Sequence, residues 1–105
     1  MLLAFSVAPS GVPTEGSRPN DASVHDAVAA AVKIVRESGL PNQTDSMFTT
    51  IEGEWDEVFA AVKKCHEVLH EMGAPRITSS MRFGTRTDRA QSMEDKIRSV
   101  EEKLL

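Results

Sequence analysis

Two carboxylates flank a single glycine in the segment TTIEGEWDEV, where a strand gives way to a helix. The β-branched start indicates a strand, and the acidic, apolar-spaced continuation is typical of a helix N-terminus. Glu52 can accept hydrogen bonds from an aminopyrimidine or another cationic ligand. It can equally favour the positive end of the following helix, or pair with Arg82 across a sheet. The residues leave both interpretations of Glu52 open, whereas Glu54 is interpreted as a first-turn helix charge.

Three further residues have side chains capable of metal binding or nucleophilic chemistry. His66 and His70 are four apart in a helical segment, a spacing that can bind zinc. No third ligand is placed beside them, so no metal site is predicted; we expect His66 to border the core and His70 to be solvated. Cys65 is the only cysteine. It falls on an apolar stripe with no evident base, which predicts a buried, unreactive thiol and no disulfide.

Four arginines form a local basic run, and one tryptophan begins the second helical segment. The run can hold a phosphate or a partner's carboxylates, or it can be solvated or bridge subunits. The tryptophan can anchor the edge of the core or stack on a ligand ring. No glycine-rich nucleotide loop, catalytic triad order or paired-carboxylate pattern is present, so no catalytic residue and no cofactor are predicted. The arginines of the basic run are Arg76, Arg82, Arg86 and Arg89, and the tryptophan is Trp55.

Length and charge limit the classes of protein to which the chain can belong. Its 105 residues predict one domain spanning residues 1–105. A net charge of −4 gives no general attraction to phosphate backbones or anionic lipid, so neither nucleic acid nor a membrane is expected as a partner. The apolar run near the start is shorter than a signal peptide requires, and no run approaches a membrane span of about 20 residues. With a single cysteine, the prediction is a cytoplasmic protein.

Hydrophobic periodicity indicates four strands and three helices. The segment LLAFSVAP alternates with a period of two, and so does RITSSMRFGT, while LPNQTDSMFTTIEG is interpreted as two strands with a tight turn near residues 44–46. Residues 12–20 are rich in Gly, Pro and polar residues and are predicted to form a flexible loop. A capping box at Ser23 and a glycine cap at Gly39 bound the first helix.

The second and third helices have clear apolar stripes. The segment EWDEVFAAVKKCHEVLHEMG is the stronger, with apolar residues spaced by three and four. The third helix, at residues 92–105, starts at a Ser92 cap and places Met93, Ile97, Val100 and Leu104 on one side. The order is therefore β-α-β-β-α-β with an extra C-terminal helix, which predicts an α+β, ferredoxin-like fold: an antiparallel four-stranded sheet with two helices on one face.

The two-residue period of strands assigns side chains to the two faces of this sheet. The predicted helix-covered face takes Leu3, Phe5, Val7, Ile51, Ile77, Met81 and Phe83. The predicted open face takes Ala4, Ser6, Phe48, Thr50, Glu52, Thr78, Ser80 and Arg82. Because the second set is neither strongly charged nor strongly apolar and contains small residues, we expect it to close against an identical copy in a homodimer or homotetramer.

Several segments resemble the thiamine-binding, YkoF-like family of small proteins. They are AFSVAPSG, AVKIVRESGLP, TTIEGEWDEVFAAVKKCHEVL, GAPRITSSMRFGTRTD and SMEDKIRSVEEKL, and together they cover nearly the whole chain. The resemblance implies a ferredoxin-like fold, dimers joined edge to edge, tetramers joined through sheets, and no known catalysis. It also implies binding of thiamine or its hydroxymethylpyrimidine part near sheet and subunit interfaces.

The resemblance assigns ligand contacts to the matching positions Ser6, Thr50 and Glu52. Ser80 and Arg82 are added from sheet geometry, because they lie on the same predicted face. The expected function is therefore a non-catalytic small-molecule binding protein. Two alternatives stay open: a homo-oligomeric assembly protein without a ligand, and an enzyme for a small phosphorylated or aromatic substrate with the arginine run as its anion site.

Overall fold

The computed structural model of the chain describes residues 1–10, 24–89 and 92–105, which form six short strands and three helices. The strands are β1 (Leu2–Phe5), β2 (Ala8–Ser10), β3 (Asn42–Thr44), β4 (Thr49–Glu52), β5 (Arg76–Thr78) and β6 (Met81–Gly84). The helices are α1 (Val24–Glu37), α2 (Trp55–Glu71) and α3 (Met93–Leu104). The predicted loop at residues 12–20 and the Ser23 cap lie outside the described residues.

The main sheet is antiparallel, with the order β3-β4-β1-β6, and a two-stranded sheet joins β2 to β5. In this order the first strand of the chain lies at the centre and the last lies at an edge. Each half of the fold contributes one helix between strands, α1 and α2, which pack against each other. The predicted α+β, ferredoxin-like class is confirmed.

The first and last predicted strands are each divided in two, so the prediction of uninterrupted strands is wrong at residues 6–7 and 79–80. The register is the same on both sides of the gap: Phe5 pairs with Met81, and Ala8 pairs with Thr78. Between them the Ser6 amide donates to the Ser80 carbonyl at 2.9 Å. The two ladders are therefore one ladder with a local loss of regular pairing, and the alternation of faces continues through it.

The core lies between the main sheet and the two packed helices. From the sheet it takes four predicted members, and from the helices it takes aliphatic residues at spacings of three and four. Ile77 is only partly buried but packs against this cluster. The fully or nearly fully buried residues include Leu3, Phe5, Val7, Ile51, Ile34, Val35, Val58, Val62 and Leu69.

The predicted burial of Met81 and Phe83 is wrong: their exposed fractions are 40% and 47%. They point to the helix side, as predicted, since Phe83 pairs with Leu3 in register. However, β6 is an edge strand with all four residues exposed. Alternation therefore gave the correct face, but β6 has a neighbouring strand on one side only, so its side chains remain accessible.

The predicted turn near residues 44–46 is confirmed and is held by one carboxylate. Asp45 Oδ1 accepts hydrogen bonds from the amides of Met47 and Phe48, at 2.7 and 2.8 Å. These two donors lower the pKa of the Asp45 carboxyl, because they stabilise its charged form. Gly39, at φ +78°, ends the first helical segment in the left-handed conformation that glycine adopts without strain.

The helix α3 is confirmed, but it does not join the core. Its capping box is complete: the Ser92 hydroxyl accepts from the Asp95 amide, and the Asp95 carboxylate accepts from the Ser92 amide. No residue of α3 is buried, and its contacts with the other described helices and strands are sparse. The apolar stripe predicted from the sequence is therefore exposed to solvent in the isolated chain.

Candidate functional site

The five residues predicted as ligand contacts lie on the face of the sheet that α1 and α2 leave uncovered. Thr50 of β4 pairs with Ala4 of β1, which pairs with Arg82 of β6, so these three form one row across the sheet. Ser6 and Ser80 form the next row in one direction, linked by their backbone hydrogen bond. Glu52 lies one row away in the other direction, opposite Leu2.

These rows define a polar strip of limited length. Neighbouring rows on one face of a strand are two residues apart, so Glu52 and Ser6 lie about 13 Å apart along the strands at ~3.3 Å per residue. Ser6, Thr50 and Glu52 are half-buried, whereas Ser80 and Arg82 are exposed on the edge strand. The strip has an acid at one end, hydroxyls in the middle and at the other end, and a guanidinium at its edge.

The carboxylate of Glu52 is held in place by α3. Its Oε1 atom accepts a hydrogen bond from the Met93 amide at 2.8 Å, which satisfies one of the unpaired N–H groups that every helix N-terminus presents. Its Oε2 atom has no hydrogen-bond partner within the ranges that the structure describes. One oxygen therefore fixes the orientation of the carboxylate, while the other remains available to a ligand.

The contact between Glu52 and Met93 corrects both structural interpretations made from the sequence. The carboxylate serves the N-terminus of α3, not of α2, and within the described ranges it forms no ion pair with Arg82. Register explains the second point, because Arg82 lies in the row of Ala4 and Glu52 in the row of Leu2. The contact spans 41 residues along the chain, and no local pattern signals it.

Trp55 belongs to an aromatic cluster that faces the helices. Its ring stacks on Phe59 with centroids 5.6 Å apart and meets Phe83 edge-on at 5.4 Å. Since Phe83 points away from the open face, the cluster joins the start of α2 to the edge strand β6. This arrangement supports the interpretation of Trp55 as an anchor at the edge of the core.

The predicted location of His66 at the border of the core is confirmed, and it includes a hydrogen bond that the sequence did not signal. The Nε2 atom of His66 lies 2.6 Å from the hydroxyl of Ser79, which lies in the gap between β5 and β6. His70 is exposed as expected, and its Nδ1–H donates to the Ala74 carbonyl at 2.7 Å. These bonds tie the C-terminal half of α2 to the strand that follows it.

His66 predicts a pH dependence of folding stability. Burial, with a further contribution from His70, lowers the pKa of the His66 imidazole below its ordinary value. The unfolded chain therefore binds a proton at a higher pH than the folded chain does, so this contribution to stability is lost as the pH falls through the ordinary histidine pKa of about 6.5. Urea unfolding at about pH 7.5 and about pH 5.5 should show a larger loss for the unmodified protein than for His66→Gln. Equal losses in the two proteins would contradict this assignment.

Cys65 is buried, as predicted. Its side chain is fully inaccessible, and the Sγ–H group donates to the Ala31 carbonyl at 3.6 Å. Burial raises the pKa of the thiol to about 11, so the reactive thiolate is scarce at neutral pH. Within the described parts of the chain, no group of three or more His, Cys, Asp or Glu residues is placed to hold a metal ion.

The arginine run does not converge on one point. All four arginines are exposed, and Arg76 and Arg82 are six residues apart on strands of one register, which separates them by about 20 Å. Arg86 makes a forked pair with Asp88 at 2.7 and 2.5 Å, which lowers the pKa of that carboxyl to about 2. A single phosphate anchor built from the whole run is therefore not formed.

The candidate strip is a surface and not an enclosed pocket. A groove of about 630 Å³ lies along α1 beside Ser46, and another of about 310 Å³ lies between α1 and α2. Neither groove is lined by a residue of the strip. Separately, none of the helices in the described ranges is long and apolar enough to cross a membrane.

Comparison with known proteins gives a consistent assignment. The family model described as thiamine-binding protein matches residues 3–101. The UPF0045 protein sll0230 of Synechocystis is 62% identical over 101 residues, covering 96% of this chain and 77% of the relative. The solved structure of MJ1052 from Methanocaldococcus jannaschii superposes with a TM-score of 0.79 at 27% identity, covering 96% of this chain and 95% of that one.

A second solved structure supports the fold alone. It is a Thermotoga maritima protein named for thiamine biosynthesis or salvage, with a TM-score of 0.75 at 19% identity and coverage of 94% and 96% of the two chains. The match of the family model to almost the whole chain, with the high identity of the cyanobacterial relative, decides the assignment. This chain belongs to the thiamine-binding protein family.

Proposed function

We propose that the protein binds thiamine, or its hydroxymethylpyrimidine part, without transforming it, and that the site is the polar strip on the open face of the sheet. The observation that carries this proposal is the state of Glu52: one carboxylate oxygen is fixed by the Met93 amide and the other has no described partner. A half-buried carboxylate with a free, oriented oxygen is suited to a cation with amino-group donors, which is the chemistry of thiamine.

The rest of the strip fits the same class of ligand. The hydroxyls of Thr50 and Ser6 are half-buried and can donate to or accept from ring nitrogens. Small-molecule sites combine a few convergent polar groups with apolar walls, and Leu2 and Ala4 are the half-buried apolar side chains on this face of β1. Ser80 and Arg82 border the strip on the edge strand and would contact the outer end of a ligand.

We further propose that the site is completed by a second copy of the chain in a homodimer or homotetramer. The strip in one chain is open, whereas ligand sites bury most of the surface of their ligand. Small side chains at Ala4, Ser6 and Ser80 permit close approach of another sheet. A pure assembly protein would also self-associate. Ligand binding is therefore the property that distinguishes the two functions.

Isothermal calorimetry with thiamine tests the binding proposal. We expect saturable heat from the unmodified protein and a loss of affinity of roughly 10- to 150-fold in Glu52→Gln, which corresponds to about 1.5–3 kcal/mol for a hydrogen bond to a charged group. The amide oxygen of glutamine can still accept from Met93, so the fold and α3 should be retained. A parallel titration with hydroxymethylpyrimidine asks which half of thiamine is recognised.

Glu54→Gln is the matched control, because it removes the same charge only two residues from Glu52. The side chain of Glu54 is exposed and lies at the N-cap of α2. We expect this variant to bind thiamine as the unmodified protein does. No heat from thiamine at millimolar concentration, or equal losses in the two variants, would overturn the proposed site. If thiamine gives no heat and the unmodified protein sediments as an oligomer both with and without thiamine, the assembly function is favoured.

A further inference from the structure

The helix α3 presents an apolar stripe that no described part of the chain covers. Its members recur at spacings of four, three and four, which is the a/d pattern of a coiled-coil seam over 12 residues, just under two heptads. Three of them are 47%, 60% and 80% exposed. A capping box satisfies the N-terminus of the helix, and none of its residues is buried. The stripe consists of Met93, Ile97, Val100 and Leu104.

Basic residues flank the stripe on one side, and acidic residues flank it on the other. With Ile97 and Leu104 at a positions, the g positions are Lys96 and Lys103, and the e positions are Glu94 and Glu101. In a parallel pair of identical helices, g residues face e residues of the partner, so Lys96 of one helix meets Glu101 of the other. In an antiparallel pair, g faces g and e faces e, which would place lysine against lysine and glutamate against glutamate.

The basic residue on the outer face of α3 is paired within the helix. Arg98, on the outer face, pairs with Glu94 at 3.6 Å and Asp95 at 3.5 Å, at spacings of four and three. By contrast, Lys96 and Lys103 have no acidic residue three or four positions away in either direction. The lysines on the flank of the stripe therefore lack the intrahelical partners that Arg98 has, and a second, parallel helix would supply one to Lys96.

We propose that α3 pairs in parallel with α3 of a second copy of this chain, burying the stripe and joining Lys96 to Glu101 across the seam. The occupant is a second copy because the pattern is complementary to itself in one orientation only. A lipid surface fits less well: α3 carries four acidic and three basic residues, so it gains no attraction to anionic headgroups. A single helix of this length is marginal in water, so burial of the stripe against a partner would stabilise α3.

Parallel pairing has a consequence for the open face. Each α3 starts at its own Glu52, so a parallel pair brings the two anchored starts to the same end. The two Glu52 carboxylates would then lie at the same end of the helix pair. The inference concerns α3 and holds whether or not thiamine is the ligand.

Disulfide trapping in the full-length chain tests the orientation. Leu104→Cys places a thiol at the far end of the seam, where it meets its own equivalent only in a parallel pair. We expect mild oxidation to cross-link this variant at least about ten-fold faster than Glu102→Cys, whose position is on the outer face, because pairing raises the local thiol concentration. The native Cys65 is fully buried and does not compete.

Charge exchange tests the partner chemistry. In the Leu104→Cys background, Lys96→Glu and Glu101→Lys should each slow cross-linking, and the two together should restore it. Equal rates for Leu104→Cys and Glu102→Cys, or failure of the double exchange to restore cross-linking, would overturn the parallel pair. Cosedimentation of the unmodified protein with phosphatidylglycerol vesicles, lost in Leu104→Cys, would overturn it in favour of a lipid surface.

Discussion

Replacing Phe5 by alanine is expected to lower the free energy of unfolding by about 3–5 kcal/mol, the range for a fully buried aromatic residue. Phe5 lies on the central strand β1, is 2% exposed, and packs in the cluster formed with α1 and α2. The deletion leaves a cavity that the surrounding strands and helices can fill only in part. For a domain of this size the loss is a large fraction of the total stability. Urea unfolding followed by far-UV circular dichroism measures it.

The matched control is Phe83→Ala, the same change at a residue on the same side of the sheet. Phe83 is 47% exposed and packs on Trp55 and Phe59. We expect a smaller loss of about 1–2 kcal/mol, because only half of the ring leaves a nonpolar environment and the edge-on aromatic contacts contribute modestly. Equal losses in the two variants would mean that β6 is covered in solution and is not an open edge.

The fold class was predictable because both signals that define it are local. Apolar residues that alternate predict strands, and apolar residues spaced by three and four predict helices. The order of these elements then indicates the ferredoxin-like arrangement. Burial on the central strands followed from the same alternation, as at Leu3 and Ile51. Burial on β6 did not, since a period of two assigns a face but carries no information on which strand lies at an edge.

The candidate site was predictable only as a set of residues that share a face. Ser6, Thr50 and Glu52 share this face because β1, which Ser6 directly follows, pairs with β4. Their role in ligand binding stays a prediction. The bond from Met93 to Glu52 and the one between His66 and Ser79 could not be predicted, because each depends on where a later element returns to the sheet. Such contacts between distant residues leave no periodic trace in the sequence.

The Glu52 carboxylate links the candidate site to α3, the helix that has no buried residue. The carboxylate that we assign to the ligand is also the carboxylate that receives the first amide of α3. A ligand cation near Oε2 would draw charge from the same group and alter the strength of that hydrogen bond. The site and α3 are therefore coupled through one side chain, and substitutions that retain an acceptor at position 52 separate the two roles.

Filling the open face is expected to abolish thiamine binding without unfolding the protein. Ala4 is half-buried on the open face and lies in the row between Thr50 and Arg82, at the centre of the strip. In Ala4→Trp the indole would extend over this row, away from the helices, and occupy the space assigned to the ligand. Because the core is on the other face, the far-UV circular dichroism spectrum of Ala4→Trp should match that of the unmodified protein. Calorimetry with thiamine measures the binding, and sedimentation equilibrium measures self-association.

Ala60→Trp provides the comparison, since it introduces the same side chain on an exposed position of α2. We expect Ala60→Trp to bind thiamine normally and Ala4→Trp to give no saturable heat. If Ala4→Trp loses self-association as well, the same face carries both the ligand and the second copy, as proposed. If it binds thiamine as the unmodified protein does, the ligand lies elsewhere on the chain, and the free oxygen of Glu52 has no part in its recognition.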